Sequence, residues 1–165
     1  MHQFITQKLS QYQPRTLIAD LQTPAAVLVA ITDDKHNPEV ILTRRAQHLP
    51  THKGQIAFPG GKADPDDADL VATALREAYE EVALKPEAVA VVGKMGQVLS
   101  RQGFVVTPVI GVVPAAVVNQ LMPNLGELDR IFTVPLRFFV DTKPQMDALP
   151  LAKGVKQVPS FYYDE

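Results

Sequence analysis

Apolar and polar positions alternate in blocks along the chain. Residues 25–31, Ala-Ala-Val-Leu-Val-Ala-Ile, form an unbroken apolar run, as a strand covered on both faces should. A polar stretch at 32–38 separates it from a second strand over 39–43, so 25–43 reads as a hairpin. Upstream, Phe4, Ile5 and Leu9 have helical spacing and predict a short amphipathic helix over 2–12. Residues 44–58 show no period, and Pro59-Gly60-Gly61 predicts a sharp bend. The strongest helical pattern covers 64–84, with Asp64 as N-cap, Pro65 in the first position and Asp66 and Asp67 at the positive end of the dipole. Its buried stripe is Leu70, Val71, Ala74, Leu75, Ala78 and Val82, and Pro86 stops it. Strand-like runs follow at 89–99, 104–113 and 131–134, and Pro135 opens a short helix through Val140. The order β-β-loop-α-β-β-β describes an α/β domain.

Length and composition narrow the field. One domain is expected over residues 1–165, because the chain has 165 residues, 46% of them hydrophobic and 21% charged. Net charge is −2, so no global positive field draws in nucleic acid or an anionic membrane. Cysteine is absent, which excludes disulfides, thiolate metal sites and a thiol nucleophile. The start lacks the pattern of a signal peptide, and no apolar run reaches about 18 residues, so a cytoplasmic location is expected.

Charge becomes informative within one helix. Between Asp64 and Lys85 there are seven acids and two bases, a local charge of −5. Glu77, Glu80 and Glu81 stand at i, i+3 and i+4, so their carboxylates share a face and repel by about 0.2–0.5 kcal/mol per pair. Arg76 offsets this by reaching Glu80 at i+4. A solvated acidic face is one reading of such a cluster, and a hard divalent cation with oxygen ligands is the other. The preceding Phe58-Pro59-Gly60-Gly61 and the Arg76-Glu77 pair favour the cation.

These residues resemble the Nudix box, G-x5-E-x7-R-E-U-x-E-E-x-G-U. Residues 76–84, Arg-Glu-Ala-Tyr-Glu-Glu-Val-Ala-Leu, match its second half. The first half is one residue longer than the box, Asp67 stands where Glu is usual, and Ala83 replaces a glycine, where a positive φ would be strained. The stretch and the departures are similar to the coenzyme A pyrophosphatase subfamily, the bacterial and peroxisomal coenzyme A diphosphatases. Ile41-Leu42-Thr43-Arg44-Arg45-Ala46, Leu49, His52-Lys53-Gly54-Gln55, Asp64-Pro65-Asp66-Asp67, Val106-Thr107-Pro108-Val109, Asn124-x-x-Glu127 and Val134-Pro135-Leu136 carry that likeness, which spans about residues 25–140. Pro50 departs from it, standing where a basic residue is usual. Relatives continue past residue 165 into a Trp-Gly strand and a final helix, so residues 145–163 are expected to be mobile or packed against a second copy as a homodimer.

The resemblance implies a Nudix α/β/α sandwich with a mixed sheet and a site for Mg²⁺ or Mn²⁺ on Glu77, Glu80 and Glu81. It implies a catalytic set of Glu77, Glu80, Glu81, Arg76 and Glu127. Arg76 would hold the carboxylates in register, and Glu127 would be a fourth ligand, a general base or an ordinary surface residue. Gly60 and Gly61 would let the loop approach the ions, and Arg44 and Lys53 would contact substrate. Arg45 and Lys62 could bind the substrate phosphates too, and read at least equally as solvated charges. His48 and His52 read as loop or substrate contacts, since the four histidines lack zinc spacing, and Gly60-Gly61-Lys62 is no P-loop. The implied reaction is hydrolysis of coenzyme A or its thioesters to 3′,5′-ADP and 4′-phosphopantetheine. A Nudix hydrolase of another substrate, such as ADP-ribose or a dinucleotide, and a non-catalytic nucleotide-binding module are the alternatives.

Overall fold

A computed structural model describes residues 2–17, 22–51, 53–100, 102–151 and 154–164. In chain order the elements are α1 (His2–Leu9), β1 (Thr23–Thr32), β2 (Glu39–Arg45), β3 (Ile56–Ala57), β4 (Gly60–Lys62) and α2 (Leu70–Val82). Then come β5 (Ala90–Lys94), β6 (Val98–Leu99), β7 (Phe104–Val113), β8 (Leu128–Pro135), α3 (Leu136–Asp141), β9 (Gln145–Leu151) and β10 (Gly154–Ser160). Short 3₁₀ turns occupy Pro86–Ala88 and Ala115–Gln120.

The apolar run of β1 is explained by its neighbours. It lies parallel to β7, from Thr23 opposite Phe104 to Thr32 opposite Val113, with both faces covered. The expected hairpin forms, with Ile31 opposite Val40. Its turn is held by the Asp34 carboxylate, which accepts from the N–H groups of His36 (2.7 Å) and Asn37 (3.0 Å). The eight-stranded sheet runs β3-β2-β1-β7-β5, with β4 also on β1, β6 on β7 and β8 on β2.

Side chains divide by the two-residue period of the strands. Ala26, Leu28 and Ala30 of β1, Ile41 of β2 and Val109 and Val113 of β7 pack with Ala74, Ala78 and Val82 of α2. Ile31, Val40, Leu42, Ile110 and Val134 face the other way, towards Ile5 and Leu9 of α1 and Phe138 and Phe139 of α3. Helices therefore cover both faces of a mixed sheet, the expected α/β/α sandwich. Alanines at 74 and 78, both 0% exposed, let α2 lie close to the sheet.

Three expectations need correction. The helix predicted from residue 64 starts at Leu70, and Asp69 is its N-cap, accepting from Val71 N (2.8 Å) and Ala72 N (2.9 Å). Asp64 and Asp67 instead build the preceding turn, where Asp64 accepts from Asp66 N and Asp67 from Asp64 N. At the other end the helix stops in a left-handed turn at Ala83, before Pro86 can interrupt it. Finally, residues 145–160, for which the sequence pattern predicts no strands, form the β9–β10 hairpin, paired from Ser160–Gln145 to Gly154–Leu151. The chain's own Phe161 and Tyr163 follow it and pack edge-on against Phe138 at 6.1 and 4.9 Å between ring centres.

Candidate active site

Arg76 is the organising side chain. Its position on α2 directs the guanidinium back over the turn before the helix. Nε and Nη2 donate to both oxygens of Asp67, at 2.9 and 3.0 Å. Nη1 donates to Glu77 (3.0 Å) and Glu80 (3.1 Å), and Nη2 also reaches the carbonyl of Lys62 (3.1 Å). One cation thus holds three carboxylates and the end of β4. Asp67 accepts in addition from the Thr73 hydroxyl at 2.8 Å. This environment holds the Asp67 carboxyl well below the usual carboxylate range, chiefly through Arg76, and raises the Arg76 guanidinium further above its already high value.

Glu81 lies deeper, 5% exposed, and accepts from the N–H of Gly60 at 3.1 Å. Burial pushes its carboxyl up to about 7, with Glu127 and Glu77 adding repulsion against the Gly60 bond and the pull of Arg45. Burial also raises Glu77, opposed by Arg76 and supported by Glu80 and Glu127. The two glycines explain how the loop comes so near. A Cβ on Gly60 would stand 2.3 Å from the Ala26 carbonyl, and its φ is +157°. A Cβ on Gly61 would stand 2.5 Å from the Glu77 carboxylate.

Glu127 reaches the cluster from a separate loop. That loop is docked on the end of α2 by Met122 N to Val82 O (3.1 Å) and Asn124 N to Glu81 O (2.8 Å). The Asn124 carbonyl then accepts from Glu127 N (2.9 Å) and Leu128 N (2.8 Å), closing the turn that carries Glu127. The predicted Asn124-x-x-Glu127 pattern therefore has a local physical basis, and the structure brings Glu77, Glu80, Glu81, Arg76 and Glu127 together with Gly60 and Gly61.

The basic residues are distributed differently. Arg44 projects to the sheet face away from α2, donates to Asp129 at 2.7 Å and borders a cavity of about 560 Å³. Leu42, Phe132, Phe138, Phe161 and Tyr163 also line that cavity. Lys53 is exposed, and Lys62 lies over the Phe104 ring at 5.1 Å. His48 and Pro50 are exposed in the loop after β2, and His52 lies outside the described residues. Sequence reasoning missed the depth of Arg45, whose Nε is buried and has no hydrogen-bond partner among the described residues. The signal was strand parity: Arg45 shares its face with Ile41, beneath α2, and Arg44 does not. The main partner of Arg76, Asp67, was visible only as an acid six residues after Gly61.

Among the described residues, no three carboxylate or imidazole side chains are already gathered as a cation cage. Arg76 engages Glu77 and Glu80, and Glu81 turns to Gly60, so the anions are held apart by other partners. The donor chemistry nevertheless fits a hard divalent ion: it is all oxygen, Glu80 and Glu127 oppose the ionisation of Glu77, and Glu127 and Glu77 oppose that of Glu81.

The chain is similar to known proteins in sequence and in fold. Proteins named "Uncharacterized Nudix hydrolase NudL" from Yersinia pestis (strain Pestoides F) and Yersinia pseudotuberculosis (serotype O:1b, strain IP 31758) are each 50% identical over 112 residues, covering 68% of this chain. The chain spans about half the length of these relatives, 55%. Among solved structures, a C. elegans Ap4A hydrolase binary complex is similar with a TM-score of 0.58 at 18% identity, over 71% of this chain and 83% of that one. The NUDIX domain of Shewanella oneidensis NrtR complexed with ADP ribose is similar with a TM-score of 0.56 at 21% identity, over 82% and 85%. Both are likenesses of fold. The NUDIX domain family matches residues 22–139, a span that takes in the eight-stranded sheet, α2 and the loop bearing Glu127, and the chain belongs to that family.

Proposed function

We propose that the chain is a divalent-metal-dependent Nudix hydrolase that cleaves the pyrophosphate bond of coenzyme A and its derivatives. The observation that carries the hydrolase reading is the buried Glu81 carboxyl, pushed up to about 7 beside Glu77 and Glu127. A fold keeps a buried carboxylate beside others that repel it where it does chemistry. Glu77, Glu80 and Glu81 would hold Mg²⁺ or Mn²⁺. A bound ion supplies neutralisation of the diphosphate and a water of lowered pKa. Glu127, facing Glu77 and Glu81 from its own loop, is the group to take the proton from the attacking water. Arg76 keeps Glu77 and Glu80 aligned with the loop end at Lys62 and does not itself touch substrate.

The coenzyme A assignment rests on the run from Ile41 to Gly61 and on the kinship with NudL. The cavity beside Arg44 supports it, because its aromatic lining suits the parts of the substrate beyond the diphosphate. Lys53 is exposed at the neighbouring loop and would meet the outer phosphate. Pro50 favours a second reading, a Nudix hydrolase of ADP-ribose or a dinucleotide, since it removes a cation that the subfamily uses. The ADP-ribose complex of the NrtR NUDIX domain is of that substrate class. A phosphate-release screen over coenzyme A, ADP-ribose, NADH and nucleoside triphosphates tests both. Coenzyme A is expected to have the highest kcat/KM, and a higher value for ADP-ribose overturns the assignment. Glu80→Gln and Glu81→Gln should each lower kcat by orders of magnitude with the fold retained. Normal turnover in both variants, or no turnover of any diphosphate by the parent chain, overturns the hydrolase reading.

A further inference from the structure

The cavity of about 560 Å³ beside Arg44 has two walls of different origin. One is the sheet, with Arg44 of β2, Ile56 of β3 and Arg130 and Phe132 of β8. The other is the segment after β10, residues 161–164, which lies beyond the residues 22–139 that the NUDIX family matches. The sheet wall adjoins the carboxylate cluster along the chain. Ile56 stands four residues before Gly60, at most about 14 Å of backbone, and Arg130 stands three residues after Glu127. A ligand whose diphosphate lies at the cluster therefore has its next chemical group within reach of the cavity.

Three aromatic side chains follow one another in the second wall, and they are used differently. Phe161 packs edge-on against Phe138 and Phe139, at 6.1 and 5.3 Å between ring centres, and Tyr163 packs against Phe138 at 4.9 Å. Tyr162 makes no ring contact among the described residues and is 66% exposed. Its hydroxyl is nonetheless fixed. It donates to Asp147 Oδ2 at 2.9 Å, and Asp147 accepts on its other oxygen from Gln145 at 3.3 Å. A ring that lines a cavity, held at its polar tip and bare on its faces, is a stacking surface. The sheet wall adds Arg44 and Arg130, whose guanidinium groups stack on planar rings and donate to ring acceptors. A planar heterocycle rich in acceptors, such as a purine, fits that pair of walls. We propose that Tyr162 is a specificity-determining residue on which the purine base of the nucleotide substrate stacks, with Asp147 as the positioning residue that holds its ring. This rests on the hydrolase reading above. The carboxylate cluster lies within the family's span, and base recognition is added from outside it.

The test titrates ADP and inorganic pyrophosphate, each in Mg²⁺, into the parent chain, Tyr162→Ala and Asp147→Ala. Pyrophosphate shares the diphosphate and lacks the base. Loss of base–aromatic stacking predicts ADP affinity about 5- to 150-fold weaker in Tyr162→Ala, with pyrophosphate affinity unchanged. Asp147→Ala keeps the ring and removes its anchor. It should weaken ADP several-fold and leave pyrophosphate alone, and it carries the comparison if Tyr162→Ala does not fold. The chain has no tryptophan, so tyrosine emission is readable. ADP should quench a part of it in the parent that is missing in Tyr162→Phe. Unchanged ADP affinity in Tyr162→Ala, or in Asp147→Ala where that variant carries the comparison, overturns the proposal. So does a pyrophosphate affinity that falls in step with that for ADP, which would reduce residues 161–164 to a structural cover. A parent chain that hydrolyses coenzyme A while Tyr162→Ala binds ADP normally refutes this inference alone. A parent chain that hydrolyses no diphosphate refutes the reading beneath it.

Discussion

Arg76 and Asp67 meet in a two-pronged pair, Nε to Oδ1 at 2.9 Å and Nη2 to Oδ2 at 3.0 Å, across the turn that leads into α2. Two parallel charged hydrogen bonds fix orientation as well as distance. The same guanidinium restrains Glu77 and Glu80, so Asp67 sets the attitude of the carboxylates without touching them. A double-mutant cycle on Arg76→Ala and Asp67→Asn should give a coupling of about 0.5–3 kcal/mol in denaturant unfolding. Because the folded Asp67 carboxyl is depressed, its contribution is present above the ordinary Asp pKa and fades as the solution is made more acidic than that. Additive single mutations would show that the pair is a surface contact of no consequence.

The adjacent glycines should fail in different ways. At Gly60 a methyl group would strike backbone, 2.3 Å from Ala26 O and 2.6 Å from Val27 Cα, at a φ of +157°. Neither atom can move without opening β1, so Gly60→Ala should destabilise by more than about 2 kcal/mol. At Gly61 the obstacle is the mobile end of Glu77, 2.5 Å away. That carboxylate can swing aside at small cost to the fold, but it then leaves the cluster. Gly61→Ala should melt near the parent temperature with turnover greatly reduced. Equal melting temperatures for the two variants would show that the backbone collision at Gly60 is relieved.

Glu81 predicts a pH effect on stability. Its folded carboxyl sits at about 7 against an ordinary value of 4.5. A group raised on folding favours the fold below the unfolded value and loses that advantage as pH rises through the folded value. The metal-free chain should therefore lose stability between about pH 4.5 and 7, by on the order of 2–3 kcal/mol from this group. Glu81→Gln should keep the acceptor for Gly60 N–H, abolish most of that slope and melt higher than the parent at about pH 8. Adding Mg²⁺ or Mn²⁺ at that pH should raise the parent's melting temperature and affect the variant less. Parallel pH profiles for parent and variant would exclude the buried anion as the cause.

Strands and faces were readable because their signals are local. The apolar run of β1 announced a covered strand, and the Ala74, Ala78, Val82 stripe announced the buried side of α2. Glu77, Glu80, Glu81 and Arg76 were readable by helical spacing. The start of α2 was not, because four aspartates compete for one cap and only the pull of Arg76 and Thr73 on Asp67 decides between them. Strand parity gives the face that Arg45 takes, but the bulge opposite it, one extra residue at Asp129 in a partner strand more than 80 residues away, is encoded by no local pattern. The β9–β10 hairpin was missed for a related reason. Its tail is fixed by Phe161 and Tyr163 meeting Phe138, contacts between rings distant in sequence.

Ala83 carries the last prediction. Its φ of 57° and ψ of 24° are left-handed, and it is the one non-glycine residue with positive φ among the described residues. The conformation is imposed by the end of α2, where Ala83 N–H reaches Tyr79 O at 2.9 Å and Leu84 N–H reaches Ala78 O at 3.3 Å. Leu84 is thereby turned into the core, 0% exposed, and that burial stabilises the turn by about 1.5–3 kcal/mol. Against it stands the crowding of Cβ on the carbonyl, about 1–2 kcal/mol for an L-residue. Glycine removes the crowding but adds freedom to the unfolded chain, an offset of about 0.4–1 kcal/mol. Ala83→Gly should thus be stabilising by roughly 0.5–1 kcal/mol, a rise in melting temperature of about 1–4 °C for a chain of this size. Ala83→Val, whose branched Cβ tolerates this region less, should fall by more than glycine gains. Turnover should not change with glycine, because the N–H of Ala83 bonds backbone carbonyls within α2 and the Val82 carbonyl stays in place for Met122 N–H. A lower melting temperature for the glycine variant would mean that the turn stores no strain and that alanine is there for its stiffness.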